Sequence, residues 1–295
     1  MMLLHEIKTN DYVTKSNLPF CDYVVNPYGG CVHGCKYCYA SFMKRFTGHA
    51  EDWGTYIDVK RCDKPISAKK LTRKAVFLSS VTDPYNPFEK KYEITRAILE
   101  QLSHIDCTLY ISTKSSLILR DVDLLKKQRH LVAAVSLNTL DENFRRAMDC
   151  ATSVEGRLNT MRELHENGIY TVLFMSPIFP GLTDFRELIE AAHPFVDEYW
   201  FENLNLRGDY KNVILDYIHR NFPQYDELYQ AIYQKGNMSF WEDMERDFTA
   251  YCAEYSIKYV NAFNHTKLVN EKKQSGKLMR QKGAEDYEQM SLVSD

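Results

Sequence analysis

Apolar and polar residues alternate along this chain with two different periods. Residues 75–79 (AVFLS) form an unbroken apolar run, the signature of a strand buried on both faces of a parallel sheet. Residues 22–26, 108–113, 131–137, 169–176 and 198–206 read as further strands. Between them the spacing becomes helical. Residues 93–104 place Ile94, Ala97, Ile98 and Leu102 on one face, and 119–128 follow a similar pattern. Residues 154–167 align Val154, Leu158, Met161 and Leu164, with Gly168 as a C-cap. Asp184 and Glu187 resemble a capping box opening a helix that turns Phe185, Leu188, Ile189 and Ala192 inward.

Six strand-plus-helix units in series predict a parallel α/β sheet with right-handed crossovers. Six rather than eight units predict an incomplete (β/α)6 barrel of the TIM type, with a helical C-terminal extension. After Arg207 the pattern changes. Residues 212–233 and 240–255 read as aromatic-rich helices, and 257–263 as a last short strand. The expected division is an N-terminal extension (1–20), the barrel core (21–210), a helical part packing on it (211–264) and a polar tail (265–295). The tail carries the basic run Lys267, Lys272, Lys273, Lys277, Arg280 and Lys282, which reads as a solvated segment or as a contact for a polyanion.

With 295 residues, 44% apolar and 26% charged, the chain is long enough for one large core and too apolar for disorder. The first residues lack a basic region followed by a long apolar run, and no stretch approaches the roughly 18 apolar residues of a membrane span. A cytoplasmic location is expected. The net charge of −3 gives no support to tight, many-phosphate binding of nucleic acid. Eight cysteines in such a chain do not read as a disulfide framework. Five of them (Cys21, Cys62, Cys107, Cys150 and Cys252) are scattered and read as small buried apolar residues.

The other three are clustered in Cys31-Val-His-Gly-Cys35-Lys-Tyr-Cys38. That spacing lets three thiolates converge on one face of an iron–sulfur cube, leaving one iron without a protein ligand. An open coordination position marks chemistry, as it does at catalytic metal sites. A zinc site is the alternative, with His33, Cys21 or a distant residue as the fourth ligand.

The loop, with Tyr37 before its last cysteine, resembles the signature of the radical S-adenosylmethionine (SAM) enzymes. Asn26-Pro27-Tyr28-Gly29-Gly30, Ser80-Val81-Thr82-Asp83-Pro84-Tyr85, Ser112-Thr113-Lys114-Ser115 and the stretch from Ser176-Pro177-Ile178-Phe179-Pro180 to Asp184 extend the likeness. Together they resemble the proteins related to spore photoproduct lyase, a DNA-repair branch. The resemblance implies a [4Fe–4S] cluster on Cys31, Cys35 and Cys38, SAM chelating the fourth iron, and a 5′-deoxyadenosyl radical that abstracts a substrate hydrogen. It also implies a reducing partner such as flavodoxin or ferredoxin.

Tyr37 matches the aromatic position whose backbone contacts adenine, and Ser80, Thr82 and Asp83 the groups that meet the SAM ammonium. Lys114 is placed to pair with the SAM carboxylate, and Ser136 and Asn138 to bond ribose or carboxylate. Ile178, Phe179 and Pro180 would form the apolar side of the adenine pocket. Tyr39, Tyr85, Asn203 and Asn205, with Arg96, Arg120 and Arg207, are candidates to face substrate. The family's hydrogen-returning cysteine has no counterpart in residues 78–83, and no basic, aromatic DNA-binding hairpin is evident. The expected substrate is therefore a nucleic acid or nucleotide different from the spore photoproduct, or else a peptide or small metabolite. A non-catalytic metal-binding module is the reading from another class.

Overall fold

The computed structural model describes residues 2–208 and 210–263. Strands run β1 (Leu3–Lys8), β2 (Val13–Lys15), β3 (Tyr23–Val25), β4 (Tyr28–Gly29), β5 (Tyr56–Arg61), β6 (Ala75–Leu78), β7 (Thr108–Thr113), β8 (His130–Ser136), β9 (Thr171–Ile178), β10 (Glu198–Asn203) and β11 (Tyr259–Asn261). The basic tail from Lys267 onward lies outside the described residues, as does the rest of 265–295.

Eight strands form one sheet in the order β11-β10-β9-β8-β7-β6-β3-β2. Seven of them are parallel, and only β2 pairs antiparallel, to β3 at the edge. This is an α/β fold with a mostly parallel sheet. Alternate side chains divide between two apolar layers, as a period of two requires. Val25, Val76, Leu78, Leu109, Ile111, Ala133, Val135, Leu173 and Phe201 enter the main core under the helices. Ala75 and Phe77 face the other way, as do Val132, Ala134, Val172 and Trp200.

Helices return the chain between parallel strands. Asp141, Ser153 and Asp184 cap three of them by accepting bonds from backbone N–H groups of the first turn. Gly168, at φ +75°, ends the helix Val154–Glu166. The expected helix at 119–128 is instead a 3₁₀ turn (Ser116–Asp121) followed by the short helix Val122–Leu125. Here the buried carboxylate of Asp121 accepts bonds from both Arg96 and Arg120, which fixes a polar node where the pattern suggested a continuous helix. Residues 212–233 split at Pro223 into two helices, Tyr210–Asn221 and Asp226–Tyr233. The helix Ser239–Glu254 packs through Phe248, stacked on Phe201 of β10 at 4.3 Å. Among the described residues no helix is long and apolar enough to cross a membrane.

The N-terminal stretch adds structure the pattern does not announce. Strand β1 pairs parallel with β5, and β5 antiparallel with β4, in a separate three-stranded sheet. That sheet flanks the cysteine loop, because β4 runs directly into Gly30 and Cys31.

One buried carboxyl at the opposite, N-terminal end of the sheet sets a pH dependence. Burial pushes the Glu198 carboxyl up to about 7, although the Trp200 indole and the Lys258 ammonium oppose the rise. The native protein therefore keeps this proton where the unfolded chain, near its ordinary 4.5, has lost it. Stability should fall as pH rises through that window, by on the order of 3 kcal/mol. Glu198→Gln is expected to melt about 5–10 °C above the wild type at pH 8 and alongside it at pH 4. Thermal melts at the two pH values check this.

Candidate active site

All parallel strands end at one edge of the sheet, where open α/β folds place their ligands. The cysteine loop lies there, after β3 and β4. Gly30 stands at φ +75°, and a Cβ on it would come within 2.6 Å of the Tyr56 carbonyl. Only glycine lets the loop turn this close to β5.

Three neighbouring segments hold the loop. The first is 148–150: Lys36 N–H donates to the Met148 carbonyl and Cys150 N–H to the His33 carbonyl. The Tyr37 hydroxyl donates to Asp149 Oδ2 at 3.1 Å. Asp149 Oδ1 in turn accepts from the wholly buried Arg157 guanidinium at 2.5 Å. Arg157 also donates to the Ser136 and Thr152 carbonyls. The second segment follows β6, where Thr82 Oγ1 donates to the Gly30 carbonyl and Asn26 Oδ1 accepts from Ser80 N–H. The third follows β7, where Lys114 N–H donates to Asp83 Oδ2 at 2.8 Å.

Asp83 is the hub between the last two segments. Its Oδ1 accepts from Thr113 Oγ1 and Tyr85 N–H, and its Oδ2 lies 3.2 Å from His33 Nε2. That contact is close but poorly aligned, so neither buried His33 nitrogen has a hydrogen-bond partner. Burial alone would raise the Asp83 carboxyl. The His33 imidazole, the Lys114 N–H and the Thr113 hydroxyl outweigh burial and hold it at about 2.

Burial pushes all three loop thiols above their ordinary range, Cys35 to about 12. The Lys114 cation works against burial at Cys35 and Cys38, and the indole N–H of the half-buried Trp53 does so at Cys38. Three enclosed thiols of this kind need positive charge to become thiolates, and an iron–sulfur cluster supplies it. The donor set fits such a group. Among the described residues these three sulfurs do not form a group within 4.8 Å of one another.

The other expected site residues arrive from successive strand ends. Lys114 Nζ sits over the Tyr37 ring at 5.7 Å, and Phe179 packs edge-on against that ring. Ser136 is buried at the end of β8. Asn138 Nδ2 donates to the Pro177 carbonyl, which ties the loop after β8 to the end of β9. Ile178 and Pro180 are buried beside it. Tyr39 is half exposed, and its hydroxyl donates to the Ser80 carbonyl. Asn203 is half-buried, while Asn205 is exposed and accepts from Arg207.

Some expectations need correction. Tyr85, expected to face substrate, is wholly buried in the main core. Arg96 and Arg120 do not face a cavity. They pair with Asp121, Asp123 and Glu89 in a structural ion network. Cys150 is exposed and Cys62 half-buried, whereas Cys21, Cys107 and Cys252 are buried as expected. Three residues of the site had no signal in the pattern: Asp149 and Arg157, which brace the loop, and Glu202 at the end of β10, which accepts a hydrogen bond from Ser176 of β9.

The fold and the loop together define a class. The family model of the radical SAM superfamily matches residues 25–193, and the chain belongs to that superfamily. Among its relatives is an uncharacterized protein, MJ0683, of Methanocaldococcus jannaschii, 34% identical over 76% of this chain and 85% of its own length. Another is a radical SAM Nalpha-GlyT isomerase of Pseudomonas phage M6, 29% identical over 57% of this chain and 36% of that protein. Spore photoproduct lyase shares the fold, with a TM-score of 0.55 and 17% identity over 75% of this chain and 66% of that one. So does Streptococcus suis SuiB bound to S-adenosylmethionine, with a TM-score of 0.53 and 14% identity over 81% and 49%. The chain thus spans about two thirds of spore photoproduct lyase and half of SuiB.

Proposed function

We propose that this chain is a radical SAM enzyme that abstracts hydrogen from a nucleic acid or nucleotide, within an incomplete (β/α)6 barrel. Cys31, Cys35 and Cys38 would hold a [4Fe–4S] cluster. When bound, the cluster and SAM supply a 5′-deoxyadenosyl radical through one-electron cleavage of the sulfonium. The observation that carries the reading is the company these thiols keep: a lysine at the next strand end but one, and a loop braced from three sides.

The remaining residues position and exclude. Lys114 is the cation for the SAM carboxylate, and its backbone is tied down by Asp83. With its oxygens taken by Lys114, Thr113 and Tyr85 and its charge facing His33, Asp83 is assigned to this bracing rather than to the SAM ammonium. Tyr37, Phe179, Ile178 and Pro180 keep water from the nucleoside side. Lys114→Met is expected to raise the KM for SAM at least about tenfold, the equivalent of a lost charge-assisted bond, with iron content unchanged. Steady-state assays and iron analysis check it.

The aromatic side chains Tyr39, Phe42 and Phe46 are exposed immediately after the cluster loop. Bases stack on such side chains, at about 1–3 kcal/mol per base. This favours nucleic acid or nucleotide over the peptide or small-metabolite reading. Anaerobic incubation with SAM, a one-electron donor such as flavodoxin or ferredoxin, and candidate oligonucleotides tests it. Formation of 5′-deoxyadenosine should rise with the nucleic acid. A yield indifferent to oligonucleotide and nucleotide, but raised by peptides or cell metabolites, overturns the substrate assignment.

A further inference from the structure

We propose a second metal site on this chain, holding a divalent ion of the zinc class on the three-stranded sheet, across its paired strands β1 and β5 and apart from the cysteine loop. Its ligands are His5 of β1, His49 of the loop before β5, and Asp58 of β5. The ligand atoms of these three residues all lie within 4.8 Å of one another. Sequence spacing gives no hint of them, because β1 and β5 meet only in the folded sheet, where His5 and Asp58 are register partners.

The geometry suits one tetrahedral ion. Ligand atoms about 2.05 Å from zinc at tetrahedral angles stand about 3.3 Å apart. His5 Nδ1 lies 3.4 Å from Asp58 Oδ1, and His49 Nε2 lies 3.0 Å from the same oxygen. The set of two histidines and one carboxylate is a recurrent one for such ions, and it leaves coordination positions open. Those positions face solvent through a cleft of about 570 Å³ lined by His5, Phe46, His49, Glu51 and Asp58.

The ligands are also held in place. His49 stacks on Tyr56 at 3.8 Å and on His5 at 5.3 Å, so its ring cannot swing freely. Its other nitrogen, Nδ1, is 3.1 Å from Glu51 Oε2. A carboxylate on the far side of a ligating imidazole fixes its tautomer and strengthens it as a ligand. Asp58 is buried, and a Cβ on Gly29 would come within 3.1 Å of its Oδ2, so glycine leaves room for the carboxylate. Without an ion, the hydrogen-bond and close ion-pair partners of the buried Asp58 carboxylate among the described residues are histidines, with the Lys60 cation nearby on the same strand. With one, the carboxylate and both imidazoles are satisfied together.

The test uses the full chain with its cluster reconstituted, so that the loop thiols are occupied. Zinc chloride is added at micromolar concentration, the protein is desalted, and zinc and iron are counted by mass spectrometry. We expect one zinc per chain beside an unchanged iron content. His49→Ala and Asp58→Asn should abolish zinc retention. His5→Ala, at a half-exposed side chain whose loss leaves the core intact, should weaken it, and Glu51→Gln should weaken it about tenfold. Wild-type protein that retains no zinc, or zinc that persists in His5→Ala and Glu51→Gln at full affinity, overturns the site. The iron count reports separately on the cysteine loop, so either site can fail without the other.

Discussion

Cys35→Ala is expected to leave a colourless protein. Its iron should fall from about four atoms per chain to below one, and absorbance near ~400 nm should disappear. Cleavage of SAM should drop to the uncatalysed background. The reason is geometric: Cys35 and Cys38 share the Lys114 cation, and Cys31 is closed in by Asp83 and the turn at Gly30. Two thiols cannot hold three corners of a cube. Cys252→Ala is the matched control, since Cys252 is buried in the C-terminal helix Ser239–Glu254. It should keep its iron and its colour. Iron analysis of the two variants side by side decides the point.

Arg157→Met carries the second large effect. Arg157 and Asp149 are both buried, and each satisfies the other. Removing Arg157 leaves the buried Asp149 carboxylate with only the more distant Arg145 cation, at 3.8 Å, and breaking a buried pair in this way costs about 3–5 kcal/mol. For a domain of this size the melting point should fall by on the order of 10 °C. The damage should reach the site as well, because Asp149 also receives the Tyr37 hydroxyl beside Cys38. Cluster retention is therefore expected to fall along with stability. The double variant Arg157→Met, Asp149→Asn should lose less than the sum of the two single changes, since neither charge is then stranded. Calorimetry on the four proteins closes the cycle.

Much of the fold was legible because parallel strands must be apolar on both faces. Ala75–Leu78 stands out for that reason, Thr108–Thr113 by its alternation, and Asp184 and Gly168 mark helix ends by capping chemistry. Strand β1 was not legible. Its sequence, LLHEIK, is mostly exposed, and it exists only by pairing with β5. Strand β5 places Ile57 and Val59 on one face but buries Asp58 on the other, where the alternation would set a solvent-facing polar residue. The short 3₁₀ turn before Val122 was missed because Asp121 looks like a surface residue until Arg96 and Arg120 are seen around it.

The site divides the same way. Cys31, Cys35 and Cys38 are local in sequence and carry their own spacing signal. Lys114 could be placed because it ends a strand. Asp149 and Arg157 could not, since Asp149 reaches Tyr37 across 112 residues and nothing near it marks the contact. Tyr85 shows the converse error. It sits in a motif that ends a strand, yet the turn at Asp83 rotates it into the core.

The central claim is that one iron of a three-cysteine cluster is left open for SAM. The most direct measurement is the yield of 5′-deoxyadenosine from SAM by anaerobically reconstituted, dithionite-reduced protein, read beside its iron content. Deoxyadenosine formed by a brown protein holding about four irons per chain, and by none of the three cysteine variants, is the predicted result. A wild-type protein that carries this iron and still leaves SAM intact, or that holds zinc on these thiols instead, would contradict it.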